Sequence, residues 1–219
     1  MAFSVIICRS GDYGGTRMLR ITGGEFRGQK LFSPKNLSVR PALDMVRVAL
    51  FNILADCVPG ARVLDLFAGT GAFGIESLSR KAEFALFVEK DKKNCEIIER
   101  NLRKLSLLPV AGEKSRAAII RVDALSILTV KNLSGAPFDI IFIDPPYALY
   151  EDPKTRQSLK RFLQEIIDSE VAAESATIMF RERKSGTLAE EAFGKRIELI
   201  RTYGTTKVTL VKPWASAHG

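Results

Sequence analysis

The segment from residue 63 to 74, VLDLFAGTGAFG, constrains the fold more than any other part of the chain. An apolar run interrupted by one aspartate leads directly into a glycine-rich turn, and a helical pattern follows. This order is typical of the first unit of an open, mostly parallel sheet that binds its ligand at the carboxyl edge. Gly69, Gly71 and Gly74 also satisfy the G-x-G-x-x-G dinucleotide spacing, which has low specificity on its own.

Apolar runs and amphipathic stretches alternate through the rest of the chain, which predicts a parallel sheet covered by helices. Predicted strands lie at 62–67, 84–88, 117–122, 139–143 and 176–180, and predicted helices at about 41–54, 72–79, 92–105, 124–130 and 153–169. Only Gly204 and Thr205 separate two final runs, 197–203 and 206–211, so these must pair antiparallel. The predicted class is α/β, with a mostly parallel seven-stranded sheet ending in an antiparallel hairpin.

A basic β-hairpin extension is predicted ahead of this sheet, at residues 18–40. Glycines there permit a tight turn, and the flanking stretches are apolar on one side and basic on the other. The alternative is a solvated edge hairpin without a partner. Basic residues of this region and of the following helix are the predicted RNA contacts: Arg20, Arg27, Lys30, Arg40 and Arg47.

The charge balance favours a polyanionic partner. Thirty-three Lys and Arg against 25 Asp and Glu give a net charge of +8 and a pI near 9.5, and cations that neutralise phosphates release condensed counterions. The three cysteines form no C-x-x-C pair, and the single histidine, His218, is the penultimate residue. We therefore expect no metal and no histidine-centred triad. The chain shows no apolar run of about 20 residues and no secretory signal, so a cytoplasmic enzyme without a membrane partner is expected.

The most specific signal for chemistry is the run FDIIFIDPPY at residues 138–147. A hydrophobic strand delivers Asp144, Pro145, Pro146 and Tyr147 to the carboxyl edge, and consecutive prolines make a stiff loop that presents carbonyls. Such a loop suits methylation of an exocyclic amine of a nucleic-acid base. This amine is a poor nucleophile because its lone pair is delocalised into the ring. Acceptors from the aspartate and the first proline would draw that pair out of the ring plane, while the tyrosine stacks on the base. A flipped nucleotide is implied.

Acidic residues near the glycine turn favour S-adenosylmethionine over a dinucleotide. Asp65 is costly to bury without a polar partner and suits a ligand's ammonium group, whereas a pyrophosphate would be repelled. Glu89 lies where a ribose would be held. Asp123 can accept from an adenine amine or cap the next helix, and the two roles are compatible.

These motifs together resemble the RsmD family, bacterial 16S rRNA guanine-N2 methyltransferases. The resemblance is carried by RITGG at 20–24, RP at 40–41, LFN at 50–52 and DPPY at 144–147, and it extends from residue 18 to 211. It implies a Rossmann-like S-adenosylmethionine-dependent fold, with S-adenosyl-L-methionine as the methyl donor. It also implies action on ribosomal RNA within a small-subunit assembly intermediate. The cofactor contacts expected on this basis are Asp65, Phe67, Ala68, Gly69, Thr70, Gly71, Glu89, Asp123 and Ala124.

One stretch departs from the family pattern R-P-T-x-D-R-V-R-E. Residues 40–48 read RPALDMVRV, so a hydroxyl, an arginine and a glutamate are missing. The expected organisation is a flexible extension at 1–17, or a start codon placed ahead of Met18, then the hairpin at 18–40. A methyltransferase domain follows at 41–213 and a tail at 214–219, in a monomer.

Three alternatives make different predictions. A DNA adenine-N6 methyltransferase shares the Asp-Pro-Pro-Tyr loop but usually carries a target-recognition domain, for which no segment here is long enough. A nicotinamide dehydrogenase would bind NADH and leaves the Pro-Pro loop unexplained. A non-catalytic RNA-binding assembly factor would tolerate Asp144→Ala.

Overall fold

The structure, a computed structural model, describes residues 19–34, 41–109 and 115–213, with only the backbone of 41–44. Within these ranges there are nine strands: β1 Leu19–Arg20, β2 Lys30–Leu31, β3 Arg62–Leu66, β4 Phe84–Val88, β5 Ala117–Ile120, β6 Phe138–Ile143, β7 Ala172–Arg183, β8 Ile197–Tyr203 and β9 Thr206–Val211. The α-helices are α1 Pro41–Ile53, α2 Ala72–Ser79, α3 Lys92–Lys104, α4 Ala148–Glu151, α5 Pro153–Ile167 and α6 Leu188–Phe193. Short 3-10 helices lie at Ala124–Thr129 and Gly194–Arg196.

Seven strands form the main sheet in the order β5-β4-β3-β6-β7-β9-β8. The first five are parallel, and β9 pairs antiparallel with both β7 and β8. The predicted mostly parallel sheet with a terminal antiparallel hairpin is therefore confirmed. Strand order reverses between β4 and β6, on either side of β3, which is where open α/β sheets bind ligands.

Side chains alternate along the strands to fill a core on each face of the sheet. Helices α1, α2 and α3 cover one face together with the β1–β2 hairpin, and α5, α6 and the first 3-10 helix cover the other. In β3, Val63 packs on the first face and Leu64 on the second, both fully buried. A chain of this length buries enough apolar surface for such a two-sided core.

The N-terminal hairpin is confirmed, although each of its strands is only two residues long. Leu19, Ile21 and Leu31 are buried in the same core as α1 and α2, so the apolar side of the hairpin is docked on the domain. The buried Glu76 carboxylate of α2 accepts from both the amide and the hydroxyl of Thr22, at 2.8 and 2.7 Å. These contacts attach the hairpin to the domain, and its role in binding RNA, against the alternative of a solvated edge hairpin, stays a prediction.

Two predicted elements differ from the structure. Residues 124–130, predicted as an α-helix, contain a 3-10 helix. Strand β7 runs from 172 to 183 instead of 176 to 180, because its polar end pairs with β9 as far as Arg183 opposite Thr206. Tertiary hydrogen bonding overrides the polar composition of that end. The predicted extension at 1–17, the end of the hairpin segment at 35–40 and the tail at 214–219 lie outside the described residues.

Candidate active site

The ends of three neighbouring strands bring the predicted site residues together. Leu66 of β3 is level with Val88 of β4 and Ile143 of β6. Each of the three strands ends at this level, so the glycine turn, Glu89 and Asp144 follow side by side at the edge of the sheet. The parallel register alone produces this convergence.

The turn after β3 adopts a left-handed backbone at three positions. Phe67, Gly69 and Gly71 have φ values of 57°, 55° and 76°. Such values are unfavourable for a phenylalanine, and strained residues of this kind cluster at ligand sites. A Cβ at Gly71 would come within 3.1 Å of the Phe87 ring, whereas one at Gly69 would meet only the Phe67 carbonyl oxygen at 3.9 Å. Gly71 is therefore needed for packing, and Gly69 opens space beside the turn.

Asp65 lies behind this turn and holds the start of α2. Its Oδ2 accepts from the Gly74 amide at 2.9 Å, where the positive end of the helix dipole favours a carboxylate. Burial raises the pKa of Asp65 well above its usual range; the Gly74 amide opposes this, and the Asp144 and Glu89 carboxylates add to it. Asp65 does not border the cavity described below. Its contact with a ligand's ammonium group stays a prediction.

Glu89 connects the turn to the loop after β4. One carboxylate oxygen accepts from the Gly69 amide at 2.8 Å and the other from the Asp91 amide at 2.8 Å. The side chain is buried beside the turn, yet it borders the cavity. A carboxylate fixed by two backbone amides is preorganised to accept further hydrogen bonds from a ligand's hydroxyl groups.

Asp123 caps the 3-10 helix that follows β5. Its carboxylate accepts from the Leu125 amide at 3.1 Å and pairs with exposed Lys90 at 3.4 Å. The capping alternative considered for Asp123 is thus confirmed. The contact of Asp123 with adenine stays a prediction. Asp123 itself does not border the cavity described below, whereas the next residue, Ala124, does.

A cavity of about 420 Å³ joins the turn to the Asp-Pro-Pro-Tyr loop. Its lining includes Phe67, Gly69, Val88, Glu89, Lys90, Asp91, Asn94, Ala124, Asp144, Pro145, Pro146, Tyr147 and Arg181. Pro145 is buried and Pro146 is exposed, while the other two loop side chains are half-buried. All four predicted catalytic residues therefore face the same space as Gly69 and Glu89.

Strand β7 contributes two arginines that sequence reasoning missed. Arg181 donates from Nε to Asp144 Oδ1 at 2.5 Å, and the guanidinium of Arg183 lies 4.3 Å from the centre of the Tyr147 ring. The hydroxyl of Tyr150 donates to the Arg181 carbonyl oxygen at 2.6 Å. The sequence signal for them was RER at 181–183, directly after the buried run at 176–180. Its two arginines alternate along β7, the strand next to β6.

The predicted RNA contacts fall into different environments. Arg20, Arg27 and Lys30 are exposed on the hairpin, and Arg40 lies outside the described residues. Arg47 is only 4% exposed, and its guanidinium donates to the Arg20 carbonyl oxygen and lies beside a buried glutamate of α2. Its prediction as a surface RNA contact is wrong because its charge is used inside the protein.

Two neighbouring positions on α1, Met45 and Val48, stand where the family pattern has charged residues. Both of these apolar side chains are exposed, at 68% and 39%. Nothing in the structure explains these departures.

The residues present fit a nucleoside carrying an amino acid group. The cavity has the size of small-molecule sites, an amide-anchored carboxylate stands ready for hydroxyl groups, and the glycine turn leaves open space. No group of His, Cys, Asp or Glu suited to a metal ion occurs in the described ranges. Within those ranges, too, no helix combines the length and apolar character needed to cross a membrane.

The sheet order, the glycine turn and the Asp-Pro-Pro-Tyr loop define a Rossmann-like methyltransferase fold. A solved S-adenosylmethionine-dependent methyltransferase from Agrobacterium tumefaciens superposes with a TM-score of 0.64 over 93% of this chain and 72% of its own, at 20% identity. That likeness concerns the fold alone. The family model described as conserved hypothetical protein 95 matches residues 19–212, and the chain belongs to that family.

Two further proteins are similar in sequence. The Escherichia coli protein named ribosomal RNA small subunit methyltransferase D is 40% identical over 136 residues, which is 62% of this chain. The aligned part spans 64% of that relative, less than two thirds of its length. The structure of yhhF from Escherichia coli superposes with a TM-score of 0.67, at 30% identity, over 89% of this chain and 97% of that one.

Proposed function

We propose that this chain methylates the exocyclic N2 amine of a guanine in small-subunit (16S) ribosomal RNA, with S-adenosyl-L-methionine as the methyl donor. The observation that carries the proposal is one cavity bordered by both the glycine turn and the Asp-Pro-Pro-Tyr loop. Family membership and the printed name of the Escherichia coli relative support RNA as the substrate. The donor would be held by Gly69, Glu89 and the turn between β3 and α2, and it supplies an electrophilic methyl group.

The chain's own residues orient the amine. Asp144 Oδ2 has no hydrogen-bond partner in the part of the chain that the structure describes, so it can accept one amine hydrogen. The Pro145 carbonyl is proposed to accept the other, and the Tyr147 ring to stack on the base. The bound donor would supply the methyl group with its sulfur as the leaving group, and Asp144 and Pro145 would hold the amine so that its lone pair faces that methyl group. The methylated nitrogen would then release one proton to solvent. No enzyme nucleophile is involved, so these residues act by orienting the amine. Holding reactants in the correct geometry can supply a large part of a rate enhancement.

The hairpin supplies proposed contacts to the RNA backbone. Arg20, Arg27 and Lys30 are exposed there, Arg20 and Lys30 as cross-strand partners, and such cations suit phosphates. Replacing each by alanine should weaken RNA binding and reduce the slope of log affinity against log salt by about one per residue. An unchanged slope would make them ordinary solvated surface. We also propose a monomer that acts in the cytoplasm on an assembly intermediate.

Methyl transfer to RNA from cells that lack this protein tests the function. Small-subunit particles, protein-free 16S RNA and duplex DNA are incubated with labelled donor, and the product base is identified by mass spectrometry. N2-methylguanine in the small-subunit RNA is the expected product; N6-methyladenine in DNA would replace the proposal with the DNA-modifying alternative. No transfer to any of these substrates, together with retained RNA binding, would favour the assembly-factor alternative.

The matched variants are Asp144→Asn and Asp139→Asn. Both remove a carboxylate from the same stretch, but Asp139 lies at the opposite end of β6, where it accepts from the Arg62 amide at 2.8 Å. Asp144→Asn should lower the transfer rate at least about 100-fold, as loss of a preorganised polar group does, with little change in donor affinity. Asp139→Asn should leave the rate within a few-fold. Equal rates for the two variants would remove Asp144 from the mechanism.

A further inference from the structure

We propose that Arg181 is a positioning residue of this site: it keeps Asp144 ionised and occupies Oδ1, so that Oδ2 is left for the target amine. This inference rests on the proposed function, but it concerns contacts that no motif in the sequence indicated. Arg181 belongs to β7, outside both the glycine turn and the Asp-Pro-Pro-Tyr loop.

The register of the sheet places the two side chains together. Phe180 of β7 is level with Ile143 of β6, so the next residue on each strand meets the other at the carboxyl edge. The distance from Arg181 Nε to Asp144 Oδ1 is 2.5 Å, and the side chains are only 16% and 18% exposed. Tyr150 of α4 donates to the Arg181 carbonyl oxygen, which attaches this part of β7 to the helix that follows the catalytic loop. A charge-assisted hydrogen bond with little solvent contact is both strong and directional.

The ionised form of Asp144 is the one that the chemistry needs. A carboxylate accepts hydrogen bonds at both oxygens, whereas a protonated carboxyl group presents a donor to the amine. Burial raises the pKa of Asp144, and the charge and hydrogen bond of Arg181 oppose that rise. Among the described residues, the groups with an electrostatic interaction with Asp144 are Arg181 from β7, Asp65 from β3 and Tyr150 from α4. The cavity that Asp144 borders is also lined by Tyr147, Glu89, Lys90 and Asp91.

Of the groups that interact with Asp144 in the described part of the chain, Arg181 is the one cation, and the Asp65 carboxyl group disfavours a second negative charge. Removing Arg181 therefore shifts the balance toward protonated Asp144. Without Arg181 the pKa of Asp144 rises. Methyl transfer, which needs the carboxylate, is therefore lost first at the acidic end of the pH range. At alkaline pH, where Asp144 is ionised without help, transfer should recover in part.

The direct test is carbon-13 NMR titration of the Asp144 carboxyl group in the protein without added ligands. The resonance is assigned by its absence in Asp144→Asn. Arg181→Met should raise the midpoint by at least about one pH unit, since an opposite charge at this distance lowers a carboxyl pKa by about one to three units. Arg181→Lys keeps the charge and should shift the midpoint by less than half as much. An unchanged midpoint in Arg181→Met overturns the proposal.

The matched control is Arg183→Met, which removes an arginine two residues further along the same strand. Its guanidinium lies over Tyr147 instead of contacting Asp144, so the midpoint should stay within about 0.3 pH unit of the wild type. Melting curves check that each variant is folded. If Arg181→Met does not fold, Arg181→Gln removes the charge while keeping a polar side chain, and the same criterion applies.

The second readout is the rate of methyl transfer between about pH 5.5 and 9.5. In Arg181→Met, the acidic limb of kcat should move to higher pH by the amount that the NMR midpoint moves, and Arg181→Lys should move it less. A uniform loss of rate with an unmoved limb would contradict the proposal. The NMR titration needs no turnover, so failure of the proposed function and failure of the Arg181 inference are separable. Methylation with an unshifted midpoint would overturn only the latter.

Discussion

Replacing Glu76 by glutamine should destabilise the protein more than any surface substitution of the same kind. The carboxylate is 1% exposed and accepts from the Thr22 amide at 2.8 Å, the Thr22 hydroxyl at 2.7 Å and Arg80 Nε at 2.9 Å. Arg47 Nε lies 3.8 Å away. Glutamine has nearly the same shape, but it removes the negative charge that two arginines share and turns amide hydrogens toward donors.

The magnitude follows from the burial of this network. Removing one partner of a buried ion pair costs about 3–5 kcal/mol, because the remaining charge loses its compensation. For a chain of 219 residues, each kcal/mol corresponds to about 2–4 °C, so the Tm should fall by about 6–20 °C. The hairpin should also lose amide protection near Ile21, whose amide donates to the Gln29 carbonyl oxygen.

Urea unfolding followed by circular dichroism measures the effect, and the m value should stay constant if both states keep their compactness. Glu165→Gln is the matched control, since its carboxylate is 48% exposed and pairs with Arg161 one helical turn away. Exposed pairs of this type contribute about 0.3–0.5 kcal/mol. If Glu76→Gln unfolds within about 1 kcal/mol of the wild type, the reasoning about the buried network is refuted.

Two further predictions concern packing and thiol reactivity. Gly74→Ala should destabilise the protein by about 1–3 kcal/mol in the same urea assay, because the new Cβ would lie 2.3 Å from the Phe87 ring; an unchanged midpoint would mean that the ring can move aside. Burial and the nearby Glu89 raise the pKa of Cys95 to about 11, whereas Cys57 is exposed. In a Cys8→Ser background at pH 8, dithionitrobenzoate should therefore react at least about tenfold faster with Cys57 than with Cys95. Cys57→Ser should remove the fast phase, and a remaining fast phase would contradict the assignment.

The convergence of the strand ends that line the cavity was predictable from local patterns. Apolar runs at strand length identified β3 and β6, and the residues following them had to meet at one edge once the sheet was parallel. Asp144, Gly69 and Glu89 do border one cavity. The two-residue connection at Gly204 likewise forced an antiparallel end, because no crossover fits in that length.

Burial and long-range pairing were not predictable in the same way. Arginine is usually exposed, yet the docked hairpin covers Arg47 and its charge faces Glu76. The polar end of β7 lacks the apolar run that marked this strand in the sequence; its pairing with β9 extends it and carries Arg181 to Asp144.

The sequence by itself determined the fold class, the order of the predicted strands and which strand ends border the cavity, since periodicity and turn residues are local properties. Only the tertiary structure decided which charges are buried, how far β7 extends and which cation accompanies the Asp144 carboxylate. Those features depend on contacts between residues far apart in the chain, whose energies arise from desolvation and hydrogen bonding in the assembled core.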